Sequence, residues 1–509
     1  VTALLLAALL QQGAAGAPSY DDLVARAVAA GREGRLEEAA RDLDAAVAED
    51  ASRPEAWVER GGLYFLQKRY EDAARELRAA LAIRDDEYAR DLLASSLYLS
   101  GHEDEALDQW NRLGKPKVAR VEVQGLVHVL DRVARREVVA HEGAVLTVAD
   151  LRETRLRLHE VGVFDRVTVR ATPQADGRAD VDVAVLERHG LFASPVDAAV
   201  GLGVDALNHF VRLRWSDVGG AGISVGGGYR WQENRPEASL FLSWPRPLGL
   251  DANLRFSAFR GRQLYALELP ILERGRGFDL GFRRVTGART VVDAALRVRE
   301  RTFSRPDVVA LPGTVLGGVL GAEHRLLESR RQRLDLSARV LFSRADARYT
   351  RGLVGATYRV ALEEPDGAAI DRSILAARLQ WGGGTRDTPV DDMFAAGGSP
   401  EMEYPLRAHP QVVDGALGVE VPLARTLLLG NLEWRRRLFR KSLVQVGVVA
   451  FCDAGDLQRT VSGDLDHRFT DVGMGLRVGV GGGSILRLDW GHGLRDGRDA
   501  VFVGLGQVF

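Results

Sequence analysis

Few side chains of this 509-residue chain stand where they could make or break a bond. Gly222-Ile223-Ser224-Val225-Gly226 fits the G-x-S-x-G pattern of a nucleophilic serine, but it lies in a glycine-rich alternating run with no helix behind it to form an elbow. The glycines of 479–483 read as a turn, because no helix follows to offer its N–H groups to a phosphate. The 10 histidines fall at no metal-ligand spacing. A single cysteine, Cys452, excludes an intrachain disulfide and the framework of a small secreted domain. Catalysis, a metal and a cofactor are therefore not expected. What remains is the chemistry of charge and of the main chain: arginines placed on one face of many short alternating runs, and strand edges whose hydrogen bonds must go somewhere.

Those runs begin at about residue 190. Val211, Leu213 and Trp215 alternate with Arg212 and Arg214, and Leu240, Leu242 and Trp244 with Ser239 and Ser243. Leu296 and Val298 alternate with Arg297, Arg299 and Arg301; Leu375, Ala377, Leu379 and Trp381 with Arg378 and Gln380; Leu486, Leu488 and Trp490 with Arg487 and Asp489. A soluble sandwich also alternates, but here no helical segment is long enough to cover a sheet. At roughly 20 residues per strand and turn, residues 190–509 suit an antiparallel transmembrane barrel of about 16 strands, starting near 192–203. No apolar run approaches the roughly 18 residues of a membrane-crossing helix, so any membrane residence must come from strands. Cys452 alternates with Val446, Val448 and Ala450 and is expected on the lipid face. The last strand, 499–509, places Val501, Val503, Leu505 and Phe509 on one face and Phe502, Gly504, Gly506 and Val508 on the other; such an apolar edge invites aggregation unless it closes a barrel.

The N-terminal third is different. Residues 1–17 hold an apolar stretch (3–10) and an Ala15-Gly16-Ala17 site, the pattern of a signal peptide. In 18–114 three segments repeat at about 34 residues. Ala39, Ala73 and Ala106 align, as do Leu43, Leu77 and Trp110, and Trp57, Gly61, Tyr64, Ala73, Leu77 and Ala80 resemble the tetratricopeptide (TPR) pattern, which implies a protein-docking stack or a spacer. Residues 115–189 read as β-α-α-β-β: a strand at 118–126, helices around 130–140 and 148–161, strands at 161–173 and 179–187. With Gly125, Gly143, Leu158, Gly162, Phe164, Val167 and Glu187, this resembles a polypeptide-transport-associated (POTRA) module. Its open sheet edge could take an unfolded chain as an added strand. A hydrophobic content of 46% and a net charge of −2 point to neither disorder nor nucleic-acid binding.

Residues 448–457, 471–483, 484–494 and 501–509 resemble the last four strands of the outer-membrane assembly family of the BamA/TamA type, in which a POTRA module directly precedes the barrel. The resemblance implies a long loop folded into the lumen, here 394–410, held by an arginine paired with carboxylates of the barrel wall. Gly397, Gly398 and Tyr404 match that loop, whereas Met402 and Glu403 stand where arginine and glycine are expected. Glu433 and Asp453 resemble the carboxylates. Glu433 shares a strand face with Asn431 and Arg435, opposite Leu432 and Trp434, and a pair of desolvated carboxylates needs a cation, for which Arg407 is the candidate. The resemblance further implies a lateral seam involving Val503, Leu505, Gln507 and Phe509, with Gly504 and Gly506 weakening the last strand. It implies insertion or translocation of unfolded outer-membrane or secreted polypeptides, with outer-membrane lipids and accessory periplasmic proteins as partners. The location is then the bacterial outer membrane, with the N-terminal domains in the periplasm. A two-partner-type secretion pore and a non-catalytic scaffold docking through the TPR region are the alternatives.

Overall fold

The computed structural model describes residues 18–192, 194–305, 312–344, 347–441, 444–461, 467–480 and 484–509. The expected signal peptide lies outside the described residues, as do 481–483 of the glycine-rich turn.

Among the described residues six helices come first: α1 (Tyr20–Arg32), α2 (Leu36–Glu49), α3 (Pro54–Leu66), α4 (Tyr70–Ile83), α5 (Glu87–Leu99) and α6 (Glu103–Asn111). Ser19 starts α1 with a capping box to Asp22, and Pro54 occupies the first turn of α3, where its missing N–H costs nothing. The aligned small residues are the ones that touch. Ala39 is 1% exposed and Ala73 and Ala106 are 0% exposed, and a Cβ on Gly61 would lie 2.7 Å from Leu77 Cγ. Trp110, the bulky member of its column, packs tilted against Tyr98 at 5.9 Å.

The next module has the expected element order: β1 (Lys117–Gln124), a short α7 (Asp131–Arg135), α8 (Val148–Val161), β2 (Phe164–Pro173) and β3 (Arg178–Glu187), with the sheet ordered β1-β3-β2. Gly125 turns at φ +87, and a Cβ there would stand 2.1 Å from the Val185 carbonyl oxygen, so only glycine fits. Gly143 and Gly162 also hold positive φ, and Phe164 is buried. Glu187 ends β3 by accepting three main-chain N–H groups, from Val127 (2.9 Å), His128 (2.8 Å) and Val129 (2.9 Å).

Among the described residues, fifteen long strands build the barrel: β4 (Phe210–Val218), β5 (Ile223–Arg230), β6 (Glu237–Trp244), β7 (Asn253–Tyr265), β8 (Ile271–Val285), β9 (Thr290–Phe303), β10 (Gly313–Glu328), β11 (Gln332–Arg344), β12 (Arg348–Ala361), β13 (Ser373–Gly384), β16 (Ala424–Lys441), β17 (Val444–Thr460), β18 (Arg468–Val480), β19 (Ser484–Gly493) and β20 (Asp499–Leu505). Two short strands, β14 (Val412–Val413) and β15 (Ala416–Leu417), lie in the loop between β13 and β16. Each long strand pairs antiparallel with its successor, β13 pairs directly with β16, and the ring closes with β20 beside β4. Alternation sorts the faces as expected. Leu432 and Trp434 are 46% and 41% exposed on the outside, while Asn431, Glu433 and Arg435 between them are buried. Cys452, in register with Leu432, shares its outward face.

Two elements depart from the sequence expectation. The run near 192–203, expected as the first strand, is helix α9 (Pro195–Leu207). Its signals are local: the Ser194 hydroxyl accepts the Asp197 N–H, Pro195 opens the first turn, and Val196, Val200 and Val204 recur every four residues on one helical face. Helix α9 packs against both β4 and β20, and Asn208 Nδ2, just past its end, donates to the Val503 carbonyl at 3.2 Å. Phe509 is not on the outward face of the closing strand. Strand β20 stops at Leu505, Gly506 takes φ +77, and the Phe509 ring turns to lie 4.9 Å from the Arg378 guanidinium.

Residues 130, 160 and 162 meet one rim of the barrel. Leu130 N donates to Gly220 O (2.9 Å), Arg214 Nη2 to Gly162 O (2.7 Å), Asn253 Nδ2 to Glu160 O (2.9 Å) and Arg283 Nε to Glu160 Oε2 (2.7 Å). Strands β4, β6 and β8 end at this rim, and the long loop between β13 and β16 starts from the other.

Candidate functional site

The long loop, 385–423, turns back into the barrel. Gly398 N donates to His409 O (2.8 Å), Gln411 N to Gly398 O (2.9 Å) and Gly397 N to Tyr404 O (2.9 Å), so 397–411 form a closed finger. Gly397 makes the turn possible: its φ is +135, and a Cβ would stand 2.6 Å from the Gln411 backbone. Strand β15 pairs in parallel with β7, through Ala416 and Leu264. Phe394, Ala396, Tyr404 and Leu406 bury themselves against inward Leu427, Leu429, Leu457 and Phe469, an apolar cluster that holds the loop by burial. The Tyr404 hydroxyl accepts from Arg351 Nη2 at 2.9 Å.

Register explains why a cation is needed below this cluster. Asn431 stands opposite Asp453, and Asp453 opposite Asp471, which puts two carboxylates side by side on neighbouring strands. Glu433, one row away, is also 0% exposed, as is Asp453. Arg407 enters this space from the loop, 0% exposed itself. Its Nε and Nη2 donate to the two oxygens of Asp453, each at 2.8 Å, its Nη1 bonds Glu433 Oε1, and its guanidinium lies 3.5 Å above the Phe451 ring. Asn431 Nδ2 donates to Asp453 at 2.8 Å and to the Pro405 carbonyl at 3.1 Å, tying wall to loop. Met402 and Glu403, the residues that depart from the resembled motif, take no part in this pairing: Met402 is buried at φ +51, and Glu403 is exposed.

Several members of the site are invisible to the sequence reading. Asp471 accepts the Ala408 N–H at 2.8 Å, and the His409 ring bridges Asp471 (3.2 Å) and Asp496 (2.9 Å). Gly491 clears the floor, since a Cβ there would meet Arg407 O at 2.2 Å. Further toward the rim that residues 130, 160 and 162 meet, Arg477 Nη1 donates to Asp489 at 2.6 Å, Arg487 Nη2 to Pro400 O at 2.9 Å, and Arg435 Nε to Glu433 at 2.7 Å.

The C-terminal residues join this network. Gln507 Oε1 accepts from Arg477 Nε at 3.1 Å, and Arg435 Nη2 bonds the Phe509 main-chain oxygen. Val503 and Leu505 stay on the outward face, Leu505 39% exposed. Gly504 faces the Arg487 guanidinium, whose Nη2 a Cβ there would approach to 2.5 Å.

A tetratricopeptide repeat model matches residues 32–96, and a POTRA model described as surface antigen variable number repeat matches 116–188. No curated protein matches the chain. Three solved structures share its outline. CdiB from Escherichia coli aligns at 13% identity and TM-score 0.53 over 77% of this chain and 75% of its own. CdiB from Acinetobacter baumannii aligns at 14% and 0.49 over 82% and 81%. BamA from Haemophilus ducreyi lacking POTRA domains 1–3 aligns at 12% and 0.44 over 77% and 84%. At these identities the alignment with Escherichia coli CdiB speaks for the fold.

Proposed function

We propose that this chain, a TPR region and a POTRA module on a barrel of the BamA/TamA type, inserts polypeptides into, or moves them across, the bacterial outer membrane, with its N-terminal domains in the periplasm. The observation that carries the reading is the seam. Strand β20 lies beside β4 in the ring, and helix α9, with the Asn208 side chain, packs against both of them. Displacing α9 uncovers main-chain donors and acceptors that an incoming strand of any sequence can use. The exposed edge of β1-β3-β2 offers the same sequence-tolerant pairing to an unfolded client before it reaches the barrel. No bond is made or broken in this scheme; strand pairing and apolar burial in lipid drive it. Arg407, held by Glu433 and Asp453, fixes the inner loop against the wall and keeps the lumen filled while the seam opens.

The test is reconstitution of the purified protein in liposomes and timing of the folding of a urea-denatured outer-membrane barrel. Faster folding than in empty liposomes is the expected result, and equal rates, with the protein itself folded, would overturn insertion.

A second reading, passage of one polypeptide through the lumen, draws on the inward arginines of β9, Arg297, Arg299 and Arg301. It requires the loop to leave, so polypeptide-dependent conductance across a planar bilayer, stronger in Arg407→Ala, would favour it.

A further inference from the structure

The outward face of the barrel breaks its apolar character on β7 and β8. On β8, Glu273 and Arg283 point inward, to Tyr265 (2.7 Å) and Glu160 (2.7 Å). Alternation therefore turns Arg274 and Arg276 outward, in line with Phe278, Leu280 and Phe282, which are 37%, 37% and 41% exposed. On β7, Arg260 and Arg262 continue the outward line of Leu254, Phe256 and Ala258. The register sets Arg260 directly opposite Arg276 and Arg262 directly opposite Arg274. Like charges in direct register destabilise a sheet, and β7 and β8 place two such arginine pairs in successive rows of one face.

Little within the protein offsets this charge. Arg276 Nε donates to Glu300 on β9 at 2.8 Å. Arg260, Arg262 and Arg274 form no ion pair among the described residues. With Tyr229 and Thr302 the four arginines line an open groove of about 510 Å³. Tyr229, 52% exposed, is in the row of Arg260, as an interfacial aromatic would be. The other ends of β7 and β8, at Asn253 and Arg283, meet Glu160, so the cluster lies toward the rim remote from Glu160.

We propose that this cluster binds the phosphate-bearing headgroup of an outer-leaflet lipid. Guanidinium groups match phosphate oxygens in paired hydrogen bonds, and four of them in a square suit a headgroup with more than one phosphate. The position selects a lipid over a dissolved anion: the charges sit on the outside, between the apolar rows Ala258–Phe278 and Leu264–Leu272, so a ligand that reaches them from the bilayer satisfies both surfaces. The inference rests on the outer-membrane reading above.

The full chain is reconstituted into phosphatidylcholine vesicles containing a minor fraction of bisphosphorylated lipid A. Flotation is scored first, and lipid retained after mild detergent extraction is then measured by native mass spectrometry. Floating protein that retains lipid A over phosphatidylcholine, and loses at least tenfold of that preference in Arg260→Gln/Arg276→Gln but not in Arg260→Lys/Arg276→Lys, is the expected result. Floating protein without the preference, or a preference untouched in the glutamine variant, overturns the site alone. Complete displacement of lipid A by millimolar inorganic phosphate overturns the lipid as its source. Failure to float overturns the membrane reading and the site with it. The variants point away from the core, so an unchanged heat-modifiable gel band verifies folding.

Discussion

Arg407 is the residue on which the inner loop depends. Its removal leaves Glu433 and Asp453, both 0% exposed, without their cation, and breaking one partner from a buried ion pair costs about 3–5 kcal/mol. Arg407→Ala is therefore expected to release 394–410, seen as new cleavage there in limited proteolysis and as a lower unfolding temperature; an unchanged midpoint would refute the anchoring role. Arg407→Lys keeps the charge but cannot bridge Asp453 and Glu433 with a planar fork, and should fall between. Gly491→Ala tests the same docking without touching charge, since its methyl would stand 2.2 Å from Arg407 O; proteolysis equal to wild type would mean that side-chain pairing alone holds the loop. Glu433 and Asp453 were legible through the family resemblance, to which alternation around Leu432 and Trp434 added the face of Glu433, and Arg407 followed from the need of two desolvated carboxylates for a cation. Asp471, His409 and Gly491 were not, because their roles follow from the register of β17, β18 and β19, which no local pattern states.

At the scale of elements, Glu187 binds the end of β3 to the turn at 127–129. Burial alone would raise its pKa, but the N–H groups of His128, Val127 and Val129 together hold it below the usual carboxylate value. A depressed value means stabilisation that is present above the unfolded pKa of about 4.3 and lost as pH falls through the folded one. Glu187→Gln should thus cost about 1.5–3 kcal/mol at neutral pH by the usual worth of charged hydrogen bonds. Its denaturation curve should converge on wild type in acid, and a pH-independent gap would contradict this. The seam permits a second test. In a Cys452→Ser background, Asn208→Cys with Val503→Cys should form a disulfide that halts client folding in liposomes until reductant is added. Full activity of the oxidised protein would exclude movement of α9. The helical character of α9 was written in Ser194, Pro195 and the four-residue spacing of its valines; the expectation of an unbroken alternating barrel masked it. The turn of Phe509 into the lumen hinged on one glycine, Gly506, whose positive φ a period-two reading does not see.

For the whole molecule, the division into helical repeat, POTRA module and barrel was open to inspection in the sequence because each has its own period: about 34 residues, a single β-α-α-β-β pass, and two. Deleting 18–114 is expected to leave the barrel heat-modifiable and to slow client folding severalfold in liposomes; an unaltered rate would assign the repeats to docking other proteins. The count of long strands carries a last consequence. Each strand of such a ring reverses its predecessor, so fifteen bring the last back to the heading of the first. Strands β4 and β20 both start at the rim of the long loops and both finish at the rim that residues 130, 160 and 162 meet. Direct closure between them is a parallel ladder, slightly weaker per residue than the antiparallel ladders elsewhere in the ring. A strand arriving between them with the opposite heading would complete two antiparallel ladders at once, so the ring as it stands selects the direction in which a newcomer can enter.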